Sequence, residues 1–146
     1  MGTEETARET LEQKAEVVRE IFACLSRRDS AGAAEFWDEH ATFDFTRSRA
    51  PHRGMKHGRA AIKANWEHFL GTWDEWISDP HDFMDLGDDR ILFSIKARMV
   101  GRDGIELNVR AAHIWTVRNG LVTEGTFFQS REDALAAAGL TGESAG

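Results

Sequence analysis

Asn119-Gly120 lies between two runs of alternating apolar residues, 105–117 and 121–129, and this arrangement restricts the fold more than any other feature of the chain. Asn and Gly both accept positive φ, which a two-residue hairpin turn demands, so the runs are predicted to be antiparallel strands. Asp103-Gly104 offers the same kind of turn to a strand over Arg90–Val100. A fourth, weaker strand is predicted over Ile77–Leu86, interrupted at Pro80. The second half of the chain is thus a run of strands.

The first half has a different period. Leu11, Ala15, Val18, Phe22 and Leu25 recur at three and four residues and give one apolar helical stripe. Thr6 with Glu9, or Thr10 with Gln13, supplies a capping box for its start, and Arg27-Arg28 suits its negative end. Asp29 or Ser30 then caps a short second helix reaching Trp37. Ala41–Phe45 alternates like a brief strand, and a basic loop from Arg47 to His57 leads to a third helix carrying Ile62, Trp66, Phe69, Leu70 and Trp73. Ser130 and Asp133 start a short last helix, and Gly139 sits where its left-handed cap belongs. Helices followed by antiparallel strands make an α+β domain.

At 146 residues the chain is long enough for one domain with its own core. The small polar ends, 1–9 and 141–146, are expected to be flexible flanks of a domain over 10–140. With 18 basic and 25 acidic residues the net charge is −7, which argues against nucleic acid or an anionic membrane surface as partner. The longest stretch free of charged residues, Ala134–Gly142, is under half of the ~20 apolar residues a membrane span requires. Glu4, Glu5, Glu9 and Glu12 fit no secretory leader, so a cytoplasmic location is expected. A single cysteine, Cys24, allows no internal disulfide and no paired-thiol metal knuckle. No nucleotide, phosphate or zinc-protease fingerprint is present, and the six histidines lack zinc spacing; neither a cofactor nor a metal is expected.

Strand phase singles out one residue. Along 105–117, one parity collects Leu107, Val109, Ala111, His113, Trp115 and Val117, the apolar face, and His113 is its only ionisable member. Two roles are open to it: a core imidazole bonded to a backbone carbonyl, or a polar group facing a cavity above the sheet. On the last strand the parity of Phe128 also carries Glu124 and Thr126. A carboxylate beside an imidazole in apolar walls would make an acid–base pair; Glu124 at the solvent end of its strand would not. The tryptophans Trp66, Trp73, Trp76 and Trp115 fit core packing or stacking on a flat ligand.

The order of elements, together with Trp37-Asp-Glu-His-Ala-Thr-Phe43, His57-Gly-Arg-Ala-Ala-Ile62, Ala112-His-Ile-Trp-Thr-Val-Arg-Asn-Gly120 and the Ser130–Leu140 ending, resembles the SnoaL-like polyketide cyclase relatives of the nuclear transport factor 2-like superfamily. The likeness covers about residues 10–140. It implies a cone-shaped half-barrel: a curved, mostly antiparallel sheet on three helices, with a short C-terminal helix. An apolar pocket would lie between the sheet and the first and third helices. Candidate lining residues are Phe22, Phe43, Phe45, Trp66, Ile95, Ala97, Met99, Trp115, Thr126 and Phe128.

Family mechanisms carry over poorly, residue by residue. The ketosteroid isomerase tyrosine falls on Ile21 in a chain without tyrosine, and the general-base aspartate falls on Phe45. The protonated oxyanion-hole aspartate falls on His113. The Arg-x-Asp of limonene epoxide hydrolase meets Ile95-Lys96-Ala97, and its partner aspartate meets Thr126. What the resemblance implies is therefore cofactor-independent acid–base chemistry (cyclisation, isomerisation or hydration) on a hydrophobic, polyketide-like small molecule. His113 would polarise an oxygen, with Glu124 or Asp44 as base. The alternative is a non-catalytic ligand-binding or dimerisation module, its homodimer formed through the outer sheet face at Ile114 and Phe127.

Overall fold

A computed structural model describes residues 9–48 and 54–140. The expected flexible ends, the Thr6 cap and the centre of the basic loop lie outside the described residues, apart from Glu9.

Thr10 caps α1, Leu11–Ser26, by the reciprocal box: its hydroxyl accepts from the Gln13 N–H, and the Gln13 side chain accepts from the Thr10 N–H. Val18, Ile21, Phe22 and Leu25 form its buried stripe, each contributing about 1.5–3 kcal/mol by leaving water. Asp29 caps α2, Ser30–Ala34, by accepting from the Gly32 N–H. That helix stops sooner than expected, because Trp37 already belongs to the sheet. Arg59–Gly71 forms α3, and Trp73 lies beyond its end. The Arg28 guanidinium joins the ends of α1 and α3 by donating to the carbonyls of Leu70 and Trp73. No described helix is long and apolar enough to cross a membrane.

The sheet has six strands: β1 Trp37–Asp44, β2 Met55–His57, β3 Glu75–Gly87, β4 Arg90–Val100, β5 Glu106–Arg118 and β6 Leu121–Phe128, in the order β2-β1-β6-β5-β4-β3. The last four form an antiparallel meander, and β1 joins β6 in parallel. Asn119 and Gly120 turn the β5–β6 hairpin with φ of 54° and 78°. Pro80 does not interrupt β3: it pairs with Ile95 on an edge strand, where a missing N–H is tolerated. The expected loop before α3 contains β2.

Ser130 caps α4, Arg131–Ala137, by accepting from the Asp133 N–H. Gly139 ends it at φ 81°, and the Leu140 N–H returns to the Leu135 carbonyl. The larger core lies between α1, α3 and the inner sheet face; a smaller one, Leu92, Ala112, Phe128 and Ala134, lies under α4 on the outer face. The fold is the α+β class expected: a curved, open sheet with helices packed on it and a short C-terminal helix.

One irregularity reassigns half of β6. Thr116 pairs with Glu124 and Val117 with Val122, so Thr123 is an extra residue, a β-bulge. A one-residue slip exchanges the faces of everything beyond it. Val122 joins the inner core, and after the bulge Gly125 and Phe127 point inward, opposite Trp115 and His113. Glu124, Thr126 and Phe128 therefore take the outer face, against the expectation from unbroken alternation. Phe127 is likewise not on the outer face, whereas Ile114 is on it as expected, partly buried against the cluster beneath α4.

Gly125 closes the inner layer. It stands between Phe43 and Trp115 in the register, and a Cβ there would sit 3.1 Å from the Trp115 ring and 3.2 Å from Trp37. Both tryptophans are wholly buried and have nowhere to retreat. Gly125→Val is expected to destabilise the fold by about 1–3 kcal/mol through overpacking. Denaturant unfolding checks this, and an unchanged midpoint would contradict the packing described.

Candidate functional site

The inner face is not filled to its end. A cavity of about 350 Å³ opens between the sheet and the helices, within the size range of small-molecule sites. Phe22 of α1 and Trp66 and Phe69 of α3 form one wall; Trp76 of β3 and Ile95, Ala97 and Met99 of β4 form another. Val109, Ala111 and His113 of β5 supply the floor, with Phe127, Gln129, Phe45 and Ser48 at the far side. The lining alternates along β4 because only one parity faces inward, while on β5 Arg110 joins Val109, Ala111 and His113 at the cavity's rim.

His113 is 3% exposed and stacks on Phe93, its cross-strand partner, with ring centroids 5.3 Å apart. Phe22, Phe43, Trp115 and Phe127 surround the imidazole at 5.4–5.9 Å. Its one hydrogen bond among the described residues comes from Trp115, whose Nε1–H donates to Nδ1 over 3.2 Å. An indole nitrogen can only donate. Nδ1 is therefore unprotonated, the imidazole proton resides on Nε2, and Nε2–H is the donor left for a ligand. Burial pushes the imidazole pKa down from 6.5 to about 3, so the ring is neutral at physiological pH.

The expected acid–base pairs do not form. Glu124 is solvent-exposed on the outer face, sent there by the Thr123 bulge. Asp44 pairs with Thr126, one residue out of phase with inward-facing Phe43 and Phe45. Burial raises the Asp44 pKa, but hydrogen bonds from the Thr46 N–H and hydroxyl, with the Arg47 ion pair, outweigh it and hold the carboxyl below its ordinary value. Among the described residues, no carboxylate lines the cavity.

Of the expected lining, Phe22, Phe45, Trp66, Ile95, Ala97 and Met99 face the cavity; Phe43 and Trp115 pack behind it, and Thr126 and Phe128 are across the sheet. Phe69, Val109, Arg110, Ala111, Phe127, Gln129 and Ser48 line the cavity outside that expectation. Trp76 lines it as one of the tryptophans open to ligand stacking, and Phe127 is turned inward by the bulge.

The burial of His113 has a thermodynamic consequence. The unfolded imidazole titrates near 6.5 and the folded one near 3. Between these values the unfolded chain holds the extra proton, so this share of stability is complete above about 6.5 and is lost as pH falls towards 3. The slope is about 1.4 kcal/mol per pH unit for one proton. His113→Phe is expected to remove that slope while leaving the carboxylate contributions, as read by denaturant unfolding at pH 7 and pH 4.5. Equal pH dependence in both proteins would contradict it.

No curated protein sequence matches this one. The model of the SnoaL-like domain family matches residues 18–125. Among solved structures, TerC co-crystallised with polyporic acid is similar at 20% identity and a TM-score of 0.69, covering 88% of this chain and 97% of that one. SalBIII, an epoxide hydrolase/cyclase-like enzyme in pyran ring formation in the polyether salinomycin, is similar at 18% identity and a TM-score of 0.67, covering 80% and 90%. A Mycobacterium tuberculosis protein in complex with estradiol-17beta-hemisuccinate is similar at 14% identity and a TM-score of 0.67, covering 79% and 92%.

Proposed function

The chain belongs to the SnoaL-like domain family, and from that membership we propose that its cavity binds a hydrophobic small molecule through one oxygen, held by the Nε2–H of neutral His113. The observation that carries this reading is the Trp115–His113 hydrogen bond at the floor of an aromatic cavity. It commits Nδ1 and leaves a neutral donor where water is scarce and a hydrogen bond is strong. The neighbours co-crystallised with polyporic acid and with estradiol-17beta-hemisuccinate support a ring-bearing ligand.

Catalysis is the second reading, favoured by the likeness to the cyclase-like SalBIII. A neutral imidazole that donates to a carbonyl or epoxide oxygen polarises it without becoming an imidazolium, and stabilises charge developing on that oxygen during cyclisation or isomerisation. The described lining has no carboxylate to take a proton. This weighs towards ligand binding, with electrophilic activation as the only catalytic contribution His113 makes.

Fluorenone and fluorene share a ring system and differ by one carbonyl. The wild-type protein is expected to prefer fluorenone, and His113→Phe to lose that preference by about tenfold while still binding fluorene. Titration followed by tryptophan quenching reads both affinities. An unchanged ratio in the variant would remove His113 from recognition.

A further inference from the structure

Ile95, Arg110, Ala111 and Gln129 line both the apolar cavity and a second pocket, of about 310 Å³, which also takes in Ser94 and Arg131. The two meet because β6 ends at Phe128 while β5 runs back to Glu106. Only from Ala112 onward does β5 pair with β6, so the stretch before it has no β6 neighbour. At the junction stands Ala111, whose short side chain obstructs little.

The second pocket is polar where the cavity is aromatic. Arg131 reaches across it from α4, and its Nη1 donates to the Asp82 carbonyl over 2.9 Å and to the Ser94 hydroxyl over 2.8 Å. These bonds fix the guanidinium and leave Nε and Nη2 uncommitted among the described residues. Arg110 has no ion pair there either. It stands directly across from Lys96, a like charge, while Asp79 stands on the other side of Lys96; like charges placed so repel. One carboxylate, Asp82, lines the pocket, with its side chain 71% exposed and 4.0 Å from His81 Nε2. If Asp79 offsets Lys96 and Asp82 offsets one arginine, one positive charge remains, in a chain whose net charge is −7. That balance suits a monoanion.

We infer that this pocket is a carboxylate subsite: the ligand places its apolar body in the aromatic cavity and a carboxylate-ended tail past Ala111, between Arg110 and Arg131. The inference rests on the cavity reading above, and adds that the ligand is an amphipathic acid. A fixed guanidinium presents paired N–H donors that match a carboxylate, and charge-assisted bonds of this kind are about twice as strong as neutral ones.

Pyrenebutyrate and pyrenebutanol carry one body and one tail length and differ in the terminal group. Pyrenebutyrate is expected to bind about tenfold tighter at low salt. The advantage of pyrenebutyrate over pyrenebutanol should shrink in high salt and fall towards parity in Arg110→Gln. Arg131→Gln, its fold checked by far-UV circular dichroism, should do the same. Equal affinities in the wild type, or an advantage that survives both substitutions, overturns the subsite and leaves the cavity reading standing. Failure of both probes to bind overturns the cavity reading and the subsite with it.

Discussion

The extra residue at Thr123 decides which chemistry the inner face of the sheet can hold. Without it, strict alternation would carry Glu124, Thr126 and Phe128 to the face of His113 and put a carboxylate on the inner face of the sheet. With it, Gly125 and Phe127 take those places and Glu124 goes to solvent. The exchange also protects the core. Trp115 and Trp37 close over Gly125, where any side chain would collide with one of two buried indoles. Trp115 held in this way keeps its N–H on His113. Bulge, glycine, indole and imidazole form one chain of dependence, running from backbone register to the protonation state of the site.

The state of His113 follows from a contest that burial wins. Its nearest neighbours are aromatic rings, and no carboxylate among the described residues lines its cavity to stabilise an imidazolium. The Trp115 donor would in addition oppose a proton on Nδ1. An imidazole in these surroundings does not shuttle protons near neutral pH. It offers one directional N–H inside an apolar enclosure, which suits recognising or polarising a single oxygen. This distinguishes the cavity from a paired acid–base site, although the scaffold would accommodate one.

Much of this was legible in the residues. The Asn119-Gly120 hairpin, the Thr10–Gln13 box and the inward phase of His113 each have a local cause, and each stands as the sequence predicts. Resemblance placed a pocket group at His113, and six of the ten expected lining residues face the cavity. What was not legible was non-local. No sequence signal marks Thr123 as supernumerary, because a bulge is a mismatch between two strands and neither strand states it alone. The early start of β1 at Trp37 and of β3 at Glu75 reflects pairing with β6 and β4, which overrides weak local preference. The short β2 within the basic segment has the same origin in pairing with β1.

The central claim is that His113 is a neutral imidazole with Nδ1 accepting from Trp115 and Nε2 carrying the proton. Nitrogen-15 NMR of histidine-labelled protein at pH 7 reads it directly. The account expects an unprotonated, hydrogen-bonded Nδ1 and an Nε2–H resonance for His113, both absent from His113→Phe. An imidazolium signal, or a proton on Nδ1, would contradict it.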